Sequence, residues 1–118
     1  MSDPTKVSRR LVAVFAADVE GYSRLMGADE VGTLKGLTER RAILDRIIGE
    51  HRGRIANTAG DSVLAEFGSA VDAVECAVDA QTALANANSG VAPDRHISFR
   101  IGIHIGDVIV RGGDLFTA

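Results

Sequence analysis

Hydrophobic residues follow two kinds of pattern along this chain. Leu11–Ala17 is continuously apolar, which is typical of a strand buried on both faces. From Ile97 to Ile105, Ile and Phe alternate with polar or glycine residues, which predicts a strand with one buried face. Apolar residues recur at helical spacing in 28–52 and again after Ser69, an expected N-cap. The patterns therefore predict strands at both ends and helices between them.

Shorter elements complete the predicted order. They are a helix around Arg24–Gly27 and strands at Arg54–Thr58, Ser62–Phe67 and Val108–Arg111. Gly53 is expected to end the long helix, and turns are expected at Ala59-Gly60-Asp61 and Gly106-Asp107. Gly112-Gly113 is expected to break the last strand. The second long helix is so apolar that we expect it to be covered over most of its circumference.

This order predicts an α/β (α+β) fold with a ferredoxin-like split βαβ unit and an additional strand. The crossover rule makes the first two strands parallel, with the third inserted antiparallel between them. Asp18 ends the first strand and Asp61 precedes the third. The topology therefore brings these two carboxylates to the same edge of one sheet.

Composition limits the class of protein. The chain has 118 residues, 46% of them hydrophobic, which is enough for one domain with a core. A net charge of −3 excludes the basic surface of the usual nucleic-acid binder. No apolar run approaches the roughly 18 residues of a membrane span. The single cysteine, Cys76, indicates a reducing compartment and a buried, inert thiol, so we expect a cytoplasmic protein. Residues 1–8 are polar and are expected to form a flexible arm.

Asp18 and Asp61 are candidate metal ligands. Adjacent carboxylates repel each other unless a cation compensates, and Mg²⁺ or Mn²⁺ prefers such hard oxygen ligands. Aspartate is also common in turns at strand ends, so a purely structural role stays open. Between Asp18 and the first helix, Glu20-Gly21-Tyr22-Ser23 offers free backbone N–H groups and a glycine that lets a ligand approach. Together these features are typical of a nucleoside triphosphate site.

Three stretches of the chain carry a family resemblance. Phe15–Ser23 and Gly53–Phe67 resemble, in order and spacing, the two metal motifs of the class III nucleotidyl cyclases, the family of adenylyl and guanylyl cyclases. Arg100–Val108 resembles the strand pair that follows in that family. The likeness runs from about Arg10 to Phe116 and implies a cyclase-type palm.

The resemblance also implies roles for individual residues. Two ions, Mg²⁺ or Mn²⁺, would be held by Asp18 and Asp61 with the carbonyl of Val19. One ion would activate the ribose 3′-hydroxyl to attack the α-phosphorus, with pyrophosphate leaving. The site would lie at a dimer interface, so we expect a homodimer or higher self-association. The β- and γ-phosphates would bind the backbone of Glu20, Gly21, Tyr22 and Ser23.

The purine-reading residues depart from the family's pattern. Asn57 stands where adenylyl cyclases usually carry lysine and guanylyl cyclases glutamate, and an amide can face either base. The partner position matches Asp114, followed by Leu115, and an acid there is expected for adenine. The resemblance therefore favours ATP over GTP as the substrate.

A second departure concerns the end of the chain. The family's Val-Asn-x-x-x-Arg pattern, whose arginine stabilises charge on the transferring phosphoryl group, does not occur in these 118 residues. We therefore expect residues 9–118 to form an incomplete, truncated catalytic domain with little or no activity of its own.

Other interpretations stay open. The chain can be a non-catalytic nucleotide- or metal-binding dimer module of the same fold, or a plain ferredoxin-like interaction domain. Gly112–Phe116 also resembles the GGDEF signature of diguanylate cyclases, but its fourth residue differs and it lies at the end of the chain. No two histidines are spaced as zinc ligands. Arg40 and Arg41 are interpreted as a solvated helix face, and Glu66 as facing solvent or an interface.

Overall fold

The computed structural model describes residues 8–111 and 114–117, which form one five-stranded sheet and three α-helices. The chain order is β1 (Ser8–Val19), α1 (Tyr22–Ala28), α2 (Glu30–Glu50), β2 (Arg54–Ala59), β3 (Ser62–Phe67), α3 (Ala70–Ala87), β4 (Phe99–Arg111) and β5 (Asp114–Thr117). A short 3₁₀ turn, Pro93–Arg95, lies in the connection between α3 and β4.

The strand order confirms the predicted topology. It is β2-β3-β1-β4-β5, and every neighbouring pair is antiparallel. The third strand therefore lies between the first two, as the split βαβ plan requires. The additional strand predicted at Val108–Arg111 is the end of β4, and the fifth strand of the sheet is β5, which the sequence pattern did not predict. β1 begins at Ser8, the last residue of the predicted arm, and the rest of that arm lies outside the described residues.

The core lies between the sheet and the helices. β1 is central, and its side chains alternate between the two faces of the sheet. Phe15 and Ala17 belong to the main core with the buried face of α2, whereas Val12 and Val14 form a small cluster on the opposite face. The rings of Phe15 and Phe67 lie 5.7 Å apart between centroids, in a tilted arrangement. The prediction that both faces of β1 are buried is therefore only partly confirmed, because Val12 and Val14 are buried on the second face but Leu11 and Ala16 are exposed.

The opposite face of the sheet carries no helix from the described part of the chain. Antiparallel sheets commonly leave one face solvated. Ala16 is exposed on this face, opposite Gly102 of β4 and Leu64 of β3. The backbone of β5 approaches that of β2, so the sheet curls and one end of this face is partly enclosed. The remainder of the face stays open to a ligand.

The expected turn at Gly106-Asp107 is wrong. β4 continues through both residues to Arg111. Gly106 and Asp107 pair with Val12 and Leu11 of β1. β1 starts three residues earlier than the apolar run, so it supplies a hydrogen-bonding partner for the whole of β4. The predicted break at Gly112-Gly113 lies outside the described residues.

Gly53 is not the residue that turns the chain at the end of α2. α2 ends at Glu50, and the left-handed backbone conformation falls on Arg52, with φ of +65°. A Cβ on Gly53 would lie 2.6 Å from the ring of Phe67. Glycine is therefore needed at position 53 because an aromatic ring packs against its backbone.

Two charged residues that were expected in solvent are buried. The Arg40 guanidinium donates from Nη2 to the carbonyl of Ala87, at 2.9 Å, and to Oδ1 of Asn88, at 3.2 Å. These bonds satisfy backbone and side-chain acceptors at the end of α3. Glu66 is buried and accepts a 2.6 Å hydrogen bond from Nε of Arg54. Both charges are tolerated because each has a partner.

The predictions for α3 are only partly confirmed. Its N-cap is Ser69, whose side chain accepts from the N–H of Asp72, and Cys76 is buried as expected. Burial, with a smaller effect from the charge of Asp79, raises the pKa of the Cys76 thiol to about 11. The expectation of near-complete cover is wrong, because three valines along one side are more than half exposed: Val71, Val74 and Val78.

In the part of the chain that the structure describes, no helix combines the length and the apolar composition that crossing a membrane requires.

We predict that Gly53→Ala destabilises the fold, whereas Gly49→Ala does not. The new methyl group at position 53 would press on Phe67 and Ile48, and overpacking of this kind costs about 1–3 kcal/mol. At position 49, near the end of α2, a Cβ meets nothing within 4 Å, so alanine should add up to about 1 kcal/mol through helix propensity. Denaturant unfolding followed by circular dichroism measures both. Equal stability of the two variants would contradict the packing argument.

Candidate functional site

Asp18 and Asp61 meet at the end of β1, as the topology predicted. Asp18 is the last residue but one of β1, and Asp61 lies in the two-residue turn before β3. The backbone N–H of Val19 donates to Oδ2 of Asp61 at 2.9 Å, across 42 positions of sequence. Both aspartates are half-buried. The carboxylate of Asp61 is therefore held against the strand end that carries Asp18.

Arg100 also belongs to this group, which the sequence did not reveal. It lies opposite Asp18 in the ladder of β1 and β4, and its Nε donates to Oδ1 of Asp18 at 2.9 Å. This hydrogen bond and the charge of Asp18 raise the pKa of Arg100, with smaller contributions from Glu20 and Asp61. Three carboxylates thus act on one guanidinium. The alternation in β4 placed Arg100 on the polar face, but only the strand register shows its partner.

The turn after β1 leaves backbone donors exposed. The N–H of Glu20 donates to the carbonyl of Ser98 at 2.8 Å, and Gly21 has φ of +66°, in the region that favours glycine. α1 begins at Tyr22, and no side chain caps its first turn. The first N–H groups of a helix have no partner within the helix. The backbone of Tyr22 and Ser23 can therefore donate to an anion.

Asn57 reaches the open face of the sheet because β2 contains a bulge. Ile55 pairs with Ala65, but the next partner of Leu64 is Asn57, which leaves Ala56 as an extra residue. In an unbroken ladder Ala56 would face Leu64, and Asn57 would point to the helix side. Strict alternation therefore could not have predicted where this side chain points.

Asp18, Asn57 and Arg100 border one open cleft of about 450 Å³ on the helix-free face, whereas Asp61 and the turn after β1 are not among its lining residues. Small residues of β1 and β4, Ala16 and Gly102, contribute to its lining. Four polar side chains, one from each of β1 to β4, also line the cleft: Asp18, Asn57, Ser62 and Arg100. The cleft therefore joins a charged region to a shallow surface that is large enough for part of a nucleotide.

The other predicted purine-reading residues lie elsewhere in the sheet. Asp114 and Leu115 are in β5, where they pair with Arg111 and Val110 of β4. β4 separates their strand from β1 in the order of the sheet. The described structure thus places Asp61 and the turn after β1 beside Asp18, with Asn57 on the same cleft. Asp114 and Leu115 are on the edge strand β5, which curls towards β2, the strand of Asn57.

The donor set at the end of β1 fits a hard divalent cation. Carboxylate and carbonyl oxygens are the ligands that Mg²⁺ and Mn²⁺ prefer, and Mg²⁺ commonly takes one or two carboxylates and completes its shell with substrate phosphates. Among residues 8–111 and 114–117, no group of three or more His, Cys, Asp or Glu side chains is arranged to hold a metal. Binding of a cation here therefore needs oxygen atoms from the backbone or from a ligand.

Comparison with known proteins identifies a family. A family model described as the adenylate and guanylate cyclase catalytic domain matches residues 6–113. A Rhizobium meliloti (strain 1021) protein named "Putative adenylate cyclase 3" is 49% identical over 111 residues, which is 93% of this chain and 19% of that protein. The chain thus spans about a fifth of the length of this relative.

Solved structures give the same result. An adenylate/guanylate cyclase/hydrolase from Silicibacter pomeroyi is 38% identical, with a TM-score of 0.87 over 96% of this chain and 66% of that one. The guanylyl cyclase Cya2 is 26% identical, with a TM-score of 0.75 over 86% of this chain and 57% of that one. The sheet and helices described above are therefore those of cyclase catalytic domains.

Proposed function

Because the chain belongs to the adenylate and guanylate cyclase catalytic domain family, we propose that it forms part of a domain that converts ATP to 3′,5′-cyclic AMP and pyrophosphate for signalling. GTP is the less favoured substrate. The observation that carries the proposal is the hydrogen bond from the Val19 N–H to Asp61, which holds the second carboxylate at the end of β1 beside Asp18. Asp18 lines a cleft large enough for part of a nucleotide, and Asp61 is bonded to the next residue of the same strand.

In this proposal, Asp18, Asp61 and the carbonyl of Val19 hold two Mg²⁺ or Mn²⁺ ions. Such ions activate the ribose 3′-hydroxyl and neutralise charge on the phosphates. The two carboxylates would hold the ions at the end of β1, because Asp18 lies on this strand and Asp61 accepts a hydrogen bond from it. A cation beside Asp18 would repel the guanidinium of Arg100. The Arg100 side chain is 67% exposed, so it can turn from Asp18 to the phosphate oxygens of a bound nucleotide.

The turn after β1 supports phosphate binding. Of the predicted residues Glu20 to Ser23, we assign the β- and γ-phosphates to the backbone from Gly21 to Ser23, where Gly21 adopts a left-handed conformation and the first N–H groups of α1 lack a cap. The N–H of Glu20 already donates to Ser98, so this bond orients the turn and the following N–H groups remain for a ligand. Charged phosphate oxygens would supply the acceptors that the helix start needs.

Base recognition is assigned to Asn57, with Asp114 and Leu115 reading the purine from a partner chain. Asn57 is exposed on the cleft. Its amide can donate and accept, so it can bond to adenine or guanine. The separation of β5 from β1 in the sheet is compatible with a site shared between two copies, as the family resemblance implies.

A second candidate is a nucleotide- or metal-binding dimer module without catalysis. The observation in its favour is that Asn57 stands where the family's cyclases usually carry lysine or glutamate. Such a module would bind a nucleotide or a metal ion without stabilising the charge that develops on the phosphoryl group. Turnover separates the two candidates.

We predict that Mn²⁺ binds through Asp18 and Asp61, and more tightly when ATP is present. Titration calorimetry on Asp18→Asn and Asp61→Asn should show affinities about 10- to 100-fold lower than wild type, because loss of even an outer-shell partner of a metal has an effect of this size. Asp79→Asn, which changes an exposed carboxylate on α3, is the matched control and should bind as wild type does. Unchanged binding in both site variants would end the assignment.

The test of the activity compares two chains. We expect the 118-residue chain to make little or no cyclic nucleotide, because an arginine acting on phosphoryl charge can be worth about 10³–10⁵ in rate. A longer chain that includes the asparagine and arginine should be active with Mn²⁺ and should lose activity on Asp61→Ala. Cyclic AMP and cyclic GMP are measured under identical conditions. Robust turnover by the short chain would show that the arginine is misassigned, and an inactive longer chain would favour the binding module.

Base preference should depend on position 57. In the longer chain, Asn57→Lys should raise the ratio of ATP to GTP turnover and Asn57→Glu should lower it, each by roughly tenfold, the effect of one charge-assisted hydrogen bond gained or left unpaired. Ser62→Ala changes another polar residue of the cleft and should leave the ratio near its wild-type value. If the ratio is the same in all four proteins, Asn57 does not read the base.

A further inference from the structure

The helix that presents the proposed phosphate-binding turn has little to hold it in place by itself. α1 has only seven residues, no side chain caps its start, and Leu25 is its one fully buried side chain. Isolated helices of this length are unstable in water. The position of α1, and of the turn before it, must therefore come from contacts with other parts of the chain.

In the middle of α1, Leu25 is buried in the core and its carbonyl accepts from Oγ1 of Thr33 at 2.9 Å. At both ends of α1, further contacts come from the connection between α3 and β4. At its start, Nη1 of Arg24 donates to the carbonyl of Asp94 at 3.2 Å. At its end, Nη2 of Arg95 donates to Oδ2 of Asp29, the residue between α1 and α2. Two consecutive residues of the 3₁₀ turn, Asp94 and Arg95, thus bond to opposite ends of the same short helix.

The bond to Asp29 also involves α2. Oδ1 of Asp29 caps α2 by accepting from the N–H of Gly32 at 3.0 Å, while Oδ2 accepts from Arg95. A Cβ on Gly32 would lie 2.1 Å from Oδ2, so glycine there makes room for the carboxylate. Arg95 therefore holds the junction of α1 and α2.

The 3₁₀ turn is itself firmly held. Asn88 bonds to the backbone of Ile97 in both directions, with its Nδ2 3.0 Å from the carbonyl and its Oδ1 3.1 Å from the N–H. Arg40 donates to the same Oδ1, and His96 bonds through Nε2 to the carbonyl of Val91 at 2.8 Å. These bonds close the connection on itself, so it can position a neighbouring element.

We propose that Pro93–Arg95 is a strap that sets the position of the phosphate-binding turn, with Arg24 and Arg95 as positioning residues for nucleotide binding. The inference rests on the proposed function for the identity of the ligand, a nucleoside triphosphate. The Glu20–Ser98 hydrogen bond links the same connection to the turn directly. The strap therefore acts at the start and at the end of α1, and Ser98, three residues after it, bonds to the turn itself.

The test compares Arg24→Gln, Arg95→Gln and the double variant with Arg46→Gln. Arg46 forms an exposed ion pair with Glu50 on α2, so it is a matched control for the loss of one surface guanidinium. Amide hydrogen exchange is followed by NMR at Glu20 and Leu25, whose N–H groups donate to Ser98 and Gly21. Affinity for Mg²⁺ with a non-hydrolysable ATP analogue is measured by calorimetry on the same 118-residue proteins.

We expect exchange at Glu20 and Leu25 to be about three- to tenfold faster in each single strap variant, because local opening responds to the loss of single hydrogen bonds. The double variant should exceed both. Nucleotide affinity should fall by a similar factor, while exchange in the core of β1 and in the Arg46→Gln control stays as in wild type. A purely structural role would instead lower global stability and speed exchange throughout the sheet.

Two results would overturn the strap. One is exchange at Glu20 and Leu25 that matches wild type in the double variant. The other is faster exchange with unchanged nucleotide affinity, which would show that the position of the turn does not matter for binding. A third result separates the strap from the proposed function. If exchange is faster in the strap variants but the wild-type protein binds no nucleotide, the strap is supported and the proposed function is overturned.

Discussion

The hydrogen-bonded register of β1 is the constraint on which the site depends. β1 pairs with β3 on one side and β4 on the other, so each of its residues has assigned neighbours on both strands. The register with β4 places Arg100 opposite Asp18. The register with β3 ends where the N–H of Val19 donates to the carboxylate of Asp61. A shift of one residue in either ladder would turn these side chains to the other face. The burial of Phe15 and of alternate residues of β1 therefore also fixes the positions of the charged residues at the end of the strand.

The fold and the meeting of Asp18 with Asp61 could be predicted because they follow from general rules. Hydrophobic periodicity identifies elements, and the handedness of crossovers limits the topology. The partner of Arg100 and the direction of Asn57 could not be predicted in this way. The first depends on the exact alignment of strands 82 residues apart in sequence, and the second on a bulge at Ala56 that breaks alternation. Periodicity shows the face of a strand but not its register.

The buried Arg40 shows why tertiary contacts also escaped the sequence pattern. On a helical wheel Arg40 falls within the apolar stripe of α2, between Leu37 and Leu44, and only its charge led to the expectation of a solvated position. In the fold, Arg40 faces the end of α3. The carbonyl of Ala87 and the side chain of Asn88 need hydrogen-bond donors there. The same Asn88 holds Ile97 and so shapes the connection to β4. One buried arginine thus contributes to the geometry of a loop that reaches the candidate site.

The two faces of the sheet separate stability from chemistry. On the helix side, Phe15, Phe67 and Leu44 are almost fully excluded from water, and the largest losses in stability are expected there. On the open side, Asp18 and Arg100 remain in contact with solvent, so their pairing adds little to stability and can be exchanged for a ligand at small cost. A charge pair that is easily broken is compatible with the proposed function, in which a cation would take the place of the guanidinium beside Asp18. The open face is therefore the part of this fold that can bind and release a charged ligand without disturbing the core.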